Sequence, residues 1–250
     1  MVDDKSSSLS IEVAGDVYEI RQSPGLLTSA NAEGTTGAAL WKISPLVADW
    51  LVDQTNALWS SETLHANSTV VELGCGITGL IGCAMSKRIA TYVLTDQRSI
   101  IKLLQQNVTA NASKGPTSRL KARYAKKQAA SLGLSSNVHV LELNWETDDA
   151  SIVDEVLMSD QPIDLVVVCD CVFNDFLLEP LVNMCQKLCS RSGEKQTVLL
   201  IAQQLRSDEV LSAFFSILLR EFRVWRISNH GLPTSLHYGS GFAVHIAILR

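Results

Sequence analysis

The sequence predicts a single α/β domain, residues 1–250, with a seven-stranded, mostly parallel sheet, helices on both faces and an antiparallel pair at one edge. Three observations predict it: apolar strand-like runs alternate with helical patterns, a glycine-rich turn closes the first of those runs, and the last two runs lack a helix between them. A chain of 250 residues is long enough for one substantial core. Hydrophobic residues at 46% and charged residues at 19% point to a packed globular protein rather than a disordered one.

Taken in order, β-branched and aliphatic runs mark strands at 69–73, 91–95, 138–143, 163–169, 197–203, 221–228 and 242–249. Ser44 and Pro45 read as the cap and first turn of a helix running to Trp59. Ile100, Leu103, Leu104 and Val108 recur at helical spacing over 99–112, the 177–189 segment repeats that pattern, and Val210, Leu211, Phe214, Phe215 and Leu218 share one face over 207–220. The final two strands are joined by "NHGLPTSLHYGSG", which has no helical period, so they are expected to pair antiparallel. Residues 1–10 are expected to be disordered, and a basic insertion is expected around 113–137.

No apolar run is long enough to span a bilayer, and "MVDDKSSSLS" lacks a signal-peptide core, so the expectation is a soluble, cytoplasmic monomer with a nuclear share and no membrane contact. The 6 cysteines form no C-x-x-C pair and read as buried reduced thiols, while the 5 histidines are scattered, so no metal is expected. A net charge of -5 argues against a general nucleic-acid binder. Yet no acidic residue falls between Gln97 and Leu141, where Arg98, Lys102, Lys114, Arg119, Lys121, Arg123, Lys126 and Lys127 lie. That stretch is either a solvated helical face or a docking surface for an acidic or RNA-containing partner.

"VVELGCGITGL" places Gly74, Gly76 and Gly79 in G-x-G-x-x-G spacing after a strand, which a dinucleotide-binding dehydrogenase would share. Glu72 weighs against a pyrophosphate there: a carboxylate at the loop repels phosphate and attracts the ammonium and sulfonium of S-adenosylmethionine. Asp96, twenty positions after Gly76, ends the second strand, where it can accept hydrogen bonds from both ribose hydroxyls or simply stand exposed. Trp145 in "LELNWE" offers a stacking plane to the adenine. Trp41 covers the methionine end or packs in the core. Cys169 and Asp170 end the fourth strand and should face cofactor and acceptor, because ligands in open α/β sheets bind beyond the strands' carboxyl ends. Cys171, Phe173 and Asn174 belong either to that site or to packing at the helix start.

Together "ALWKISPLVADWL", "VVELGCGITGL", "YVLTDQ", "LNWE" and "DCVFNDFLLEPLV", in that order, resemble the seven-strand class I protein-lysine methyltransferases of methyltransferase-like family twenty-one. "TYVLTDQRSIIKLLQQN" and "QQLRSDEVLSAFF" are more similar to its fungal ribosomal lysine methyltransferases than to its vertebrate members. The resemblance runs from about Trp41 to Phe222. It implies a Rossmann-like fold and an S-adenosylmethionine-dependent protein-lysine N-methyltransferase acting on a large-subunit ribosomal protein or another translation-related protein; the charge of the basic segment adds an expected weak contact with RNA. The resemblance also implies cofactor contacts at Trp41, Gly74, Cys75, Gly76, Asp96, Trp145 and Cys169, with Glu72 beside them; the expected catalytic part of Asp170 comes from its place at the end of the fourth strand. Two positions depart from the family pattern: Asn144 stands where an aspartate precedes the tryptophan, and Phe173 stands where a tyrosine is usual. A non-catalytic module keeping the same fold and an NAD-dependent oxidoreductase are the competing readings.

In that scheme the acceptor lysine must be neutral before it can take a methyl. Desolvation and the nearby sulfonium both favour the neutral amine, so no dedicated base is expected. Asp170 is expected to orient the amine by accepting an N–H hydrogen bond, and Phe173 to narrow the channel.

Overall fold

A computed structural model describes residues 1–27, 35–112, 137–159, 161–191 and 193–250. The central strands are continuous apolar runs because a parallel sheet is covered on both faces. All of β3 (Thr69–Leu73) and β6 (Leu165–Cys169) is buried; β4 (Thr91–Asp96) lies beside β3 with β5 (Val138–Glu142) beyond it, and β7 (Val198–Gln204) lies beside β6. β8 (Phe222–Arg226) and β9 (Phe242–Leu249) complete a 7-stranded sheet in the order β5-β4-β3-β6-β7-β9-β8. The ladders from β5 to β7 are parallel, whereas β9 runs antiparallel to both β7 and β8. The expected antiparallel pair is present, with β9 reaching inside to pair with β7 and β8 left at the edge.

Pleating sends alternate residues to two cores. Val70, Leu94 and Val167 meet α2 (Ile43–Val52), α4 (Leu80–Met85) and α5 (Arg98–Asn111) on one face. Val71, Val93 and Val168 meet α6 (Asp175–Cys189) and α7 (Asp208–Glu221) on the other. Each of the last two helices is capped by the residue before it: Asn174 accepts from the Phe176 amide and Ser207 from the Val210 amide.

Three expectations change. The helix expected from Ser44 to Trp59 ends at Val52, and a separate turn, α3 (Ala57–Ser60), follows. The break is local polar competition: Asp53 accepts from the Thr55 amide and hydroxyl, while Asn56 caps α3 and donates to the Trp50 carbonyl. Ser44 caps nothing, since the N-cap of α2 is Lys42 and makes no side-chain cap bond. Nor is 1–10 wholly outside the fold, because β1 (Ser8–Val13) pairs with β2 (Asp16–Arg21) across a turn at Ala14 and Gly15, both at positive φ. The basic insertion expected around 113–137 lies, apart from Asn137, outside the described residues.

That hairpin is fastened by α5. Asn111 accepts from the Glu19 amide and donates to the Glu19 carbonyl, and Asn107 does the same for Arg21 at 2.9 Å in each direction. The second Asn107 N–H reaches the Ile77 carbonyl at 2.7 Å, so one side chain joins the hairpin to the glycine-rich turn. Among the described residues no helix is long and apolar enough to cross a membrane.

Candidate active site

A cleft of about 650 Å³ opens beyond the carboxyl ends of β3 to β6. Trp41, Glu72, Gly74, Cys75, Gly76, Asp96, Trp145, Cys169 and Asp170 all line it, so the structure brings these nine residues together, while Gly79 of the same motif lies outside the lining.

The turn after β3 forms the floor. Gly74, Gly76 and Gly79 have φ of 67°, 64° and 52°, a region that glycine alone occupies without strain. A Cβ at Gly74 would stand 2.8 Å from Cys171 Sγ and 2.9 Å from Trp145 Cζ2, so the tryptophan ring lies directly against the glycine. The Gly74 and Cys75 amides donate to the Thr95 carbonyl, and the Ile77 amide donates to the Gly37 carbonyl at 2.8 Å. The turn is therefore held from both sides.

Two carboxyls sit in that floor. Asp96 accepts the Gly76 amide at 2.7 Å through Oδ2 and the Gln97 amide at 2.8 Å through Oδ1, which leaves lone pairs on both oxygens. Burial pushes its pKa up to about 6, against those two hydrogen bonds. Glu72 is more enclosed and accepts the Tyr92 hydroxyl at 2.8 Å; burial pushes it up to about 8. With no cation beside it among the described residues, burial favours the protonated form of Glu72 near neutrality. The fixed anion expected from the sequence becomes a carboxyl that ionises when a cation approaches.

Asn144 turns the chain after β5, its amide donating to Asp148 and its side chain accepting the Glu146 amide. This turn delivers Trp145, whose Nε1 is buried without a partner among the described residues. At the far wall Trp41 donates to the Thr36 carbonyl and Cys169 Sγ lies 4.0 Å from Ser44 Oγ. Burial raises the Cys75, Cys169 and Cys171 thiols well above their ordinary range, so none is a nucleophile; all 6 cysteines are buried and unpaired.

Asp170 requires a correction. It occupies the left-handed region at φ 61°, and its side chain is 1% exposed. Oδ1 accepts from Gln203 Nε2, the Gln204 amide and Arg206 at 2.9, 3.2 and 2.8 Å, and Oδ2 accepts a second Arg206 N–H at 2.6 Å. A carboxylate so fully engaged does not face an incoming amine directly. The Arg206 guanidinium also lies 4.7 Å from the Trp41 ring centroid, and it is 35% exposed. Arg206 was missed, although it follows the fifth predicted strand at the same carboxyl-end position that singled out Asp170. Phe176 was missed too: it lines the mouth, 87% exposed, beside Phe173 at 40%.

A lysine methyltransferase family model matches residues 20–221. Among curated relatives, the "Diaminohydroxyphosphoribosylamino-pyrimidine deaminase" of Schizosaccharomyces pombe is 28% identical over 224 residues, 90% of this chain and 47% of that protein. The chain therefore spans about half the length of that relative. The "Ribosomal lysine N-methyltransferase 5" of Zygosaccharomyces rouxii is 27% identical over 228 residues, 83% of this chain and 72% of that protein. Among solved structures, a TehB-like SAM-dependent methyltransferase from Corynebacterium glutamicum aligns at a TM-score of 0.50 and 15% identity over 76% of this chain and 85% of that one, a likeness of fold.

Proposed function

The chain belongs to the lysine methyltransferase family, and from that premise we propose that it uses S-adenosylmethionine to methylate a lysine of a large-subunit ribosomal protein. The observation that carries the reading is the convergence of Gly74, Gly76, Asp96, Trp145 and Glu72 on one cleft.

These residues fit the methyl donor. The glycine turn leaves room that a Cβ would fill. Asp96 keeps acceptor capacity for a ribose diol. The unpartnered Trp145 Nε1 is a buried donor in need of an acceptor, and Glu72 supplies a negative charge on demand to a ligand that brings a positive one. When bound, the donor supplies an electrophilic methyl group on a sulfonium.

The protein's remaining task is to present a neutral amine in line. A free lysine titrates near ~10.4, so holding it neutral at pH 7 costs about 4–5 kcal/mol. Phe173, Phe176 and Trp41 give the mouth the apolar surface that removes water from the amine. Alignment then accounts for most of the acceleration, as in other proximity-driven reactions.

The ribosomal part of the reading has two supports. One is the Zygosaccharomyces relative's name. The other is the rim, where Glu142, Glu146, Asp148 and Glu179 border the cleft and the groove beside it and complement a basic polypeptide. The same reading assigns the basic stretch from Arg98 to Lys127 to contact with RNA of an assembled particle, and the protein to the cytoplasm with a nuclear share. The test is incubation with tritiated S-adenosylmethionine and large-subunit particles from cells lacking the enzyme, followed by peptide mapping. A methyl-lysine in a large-subunit protein is expected; label appearing only in non-ribosomal proteins overturns the substrate assignment.

A further inference from the structure

The strand order separates the cleft into two flanks. The glycine turn, Asp96 and Trp145 stand at the ends of β3, β4 and β5, so the acceptor flank is bounded by the ends of β6 and β7, on the other side of β3. The charged residues at those two ends are Asp170 and Arg206. A lone carboxylate there presents a difficulty, because negative charge beside an amine favours the ammonium form, which cannot accept a methyl group. The geometry removes the difficulty: the guanidinium meets both Asp170 oxygens at 2.8 and 2.6 Å, and its plane is held by Gln204 Oε1 at 2.8 Å and by the Trp41 ring at 4.7 Å.

We propose that Arg206 is a positioning residue which cancels the Asp170 charge at the acceptor flank, so that the acceptor amine stays neutral beside it. The proposal rests on the methyltransferase reading above and adds to it the group that sets the acceptor's protonation. Arginine suits this part, since its planar fork matches a carboxylate in two parallel hydrogen bonds and stays charged at any working pH. The pair is also asymmetric in access, with Asp170 sealed at 1% and Arg206 open at 35%. The charge nearer the incoming amine is therefore the positive one. The other ionisable groups facing this pair are the Met1 ammonium from the N-terminal side, itself beside Lys42 and Asp4, and the Cys169 and Cys171 thiols from the end of β6, while Glu72 and Asp96 line the floor of the same cleft. Burial holds the thiols neutral across the working range.

The proposal can be tested without the natural acceptor, using sinefungin, in which an amine-bearing carbon replaces the methylsulfonium of the methyl donor. Its affinity relative to S-adenosylhomocysteine, measured by calorimetry from pH 7 to 9.5, reports whether an amine in the cleft is favoured charged or neutral. In the intact protein the ratio should rise with pH. Arg206→Gln exposes the amine to an uncompensated carboxylate and should raise the ratio at pH 7 on the order of tenfold while flattening its pH dependence. Asp170→Asn should lower it; Arg206→Lys and the double variant Asp170→Asn/Arg206→Gln should return it towards the original profile. A purely structural Arg206 would move both ligands together. Equal ratios in Arg206→Gln and Asp170→Asn across that range overturn the proposal, and if Arg206→Gln does not fold, the single Asp170→Asn and the double variant carry the same comparison. Failure of S-adenosylhomocysteine to bind the intact protein would instead overturn the methyltransferase reading itself.

Discussion

The Glu72 carboxyl accepts the Tyr92 hydroxyl at 2.8 Å, and neither side chain has appreciable access to water, at 3% and 0% exposure. This pair lies beneath the glycine turn, and its protonation couples stability to ligand charge.

Burial raises Glu72 from 4.5 to about 8 and Asp96 from 3.8 to about 6. A carboxyl raised in the folded state contributes stability that is full below its ordinary pKa and is lost as pH rises towards the folded value. The unliganded protein should therefore weaken between pH 5 and 8, by roughly 3–5 kcal/mol if Glu72 carries most of it. Melting temperatures measured across that range in the original protein and in Glu72→Gln check this. Parallel slopes for the two would show that Glu72 is not the titrating group.

The same carboxyl should ionise when a cationic ligand arrives. Binding of S-adenosylmethionine at pH 7 is expected to release protons, visible as a dependence of the calorimetric enthalpy on buffer ionisation enthalpy. In Glu72→Gln most of the release should vanish and the affinity should drop about tenfold. Proton release that persists undiminished in that variant would point to another group.

Gly74→Ala should be severe, because the added methyl meets Cys171 Sγ at 2.8 Å and Trp145 Cζ2 at 2.9 Å from a backbone at φ 67°. The strain is about 1–3 kcal/mol, and displacement of the tryptophan should reduce S-adenosylhomocysteine affinity by more than tenfold. Thermal denaturation and ligand titration read the two effects separately; full affinity in a stable variant would mean that the Trp145 ring does not shape the pocket.

Phe176 is 87% exposed and supports no core. Phe176→Ala should alter stability by less than about 0.5 kcal/mol, leave S-adenosylhomocysteine affinity unchanged, and raise KM for a protein acceptor severalfold. A fall in kcat with unchanged KM would place this ring in the chemical step instead.

The parallel strands were legible because a strand buried on both faces is one unbroken apolar run: 69–73 was read at its observed bounds, and so was the antiparallel 242–249 from its aliphatic run. The strand-end rule found Asp96, Trp145 and Asp170, since a polar residue stopping an apolar run marks where the sheet meets solvent and ligand. Partners across the fold were not legible. Nothing in "VVELG" shows that Tyr92 reaches Glu72, and nothing in "VCDCV" shows that Asp170 is claimed by Arg206, because both pairings depend on strand order. The N-terminal hairpin escaped for a related reason: although exposure alternates along both of its strands, its fixed position comes from Asn107 and Asn111 far along the chain.

The Asn107 side chain divides its hydrogen bonds between Arg21 in the hairpin and Ile77 in the glycine-rich turn, which makes those two segments one cooperative unit. Peeling the hairpin away strands a buried amide and frees the turn, so the two cannot open independently. Slow amide exchange at Glu19 and Arg21, more than 50 positions before Ile77 in the chain, would then report whether the floor of the cleft is closed.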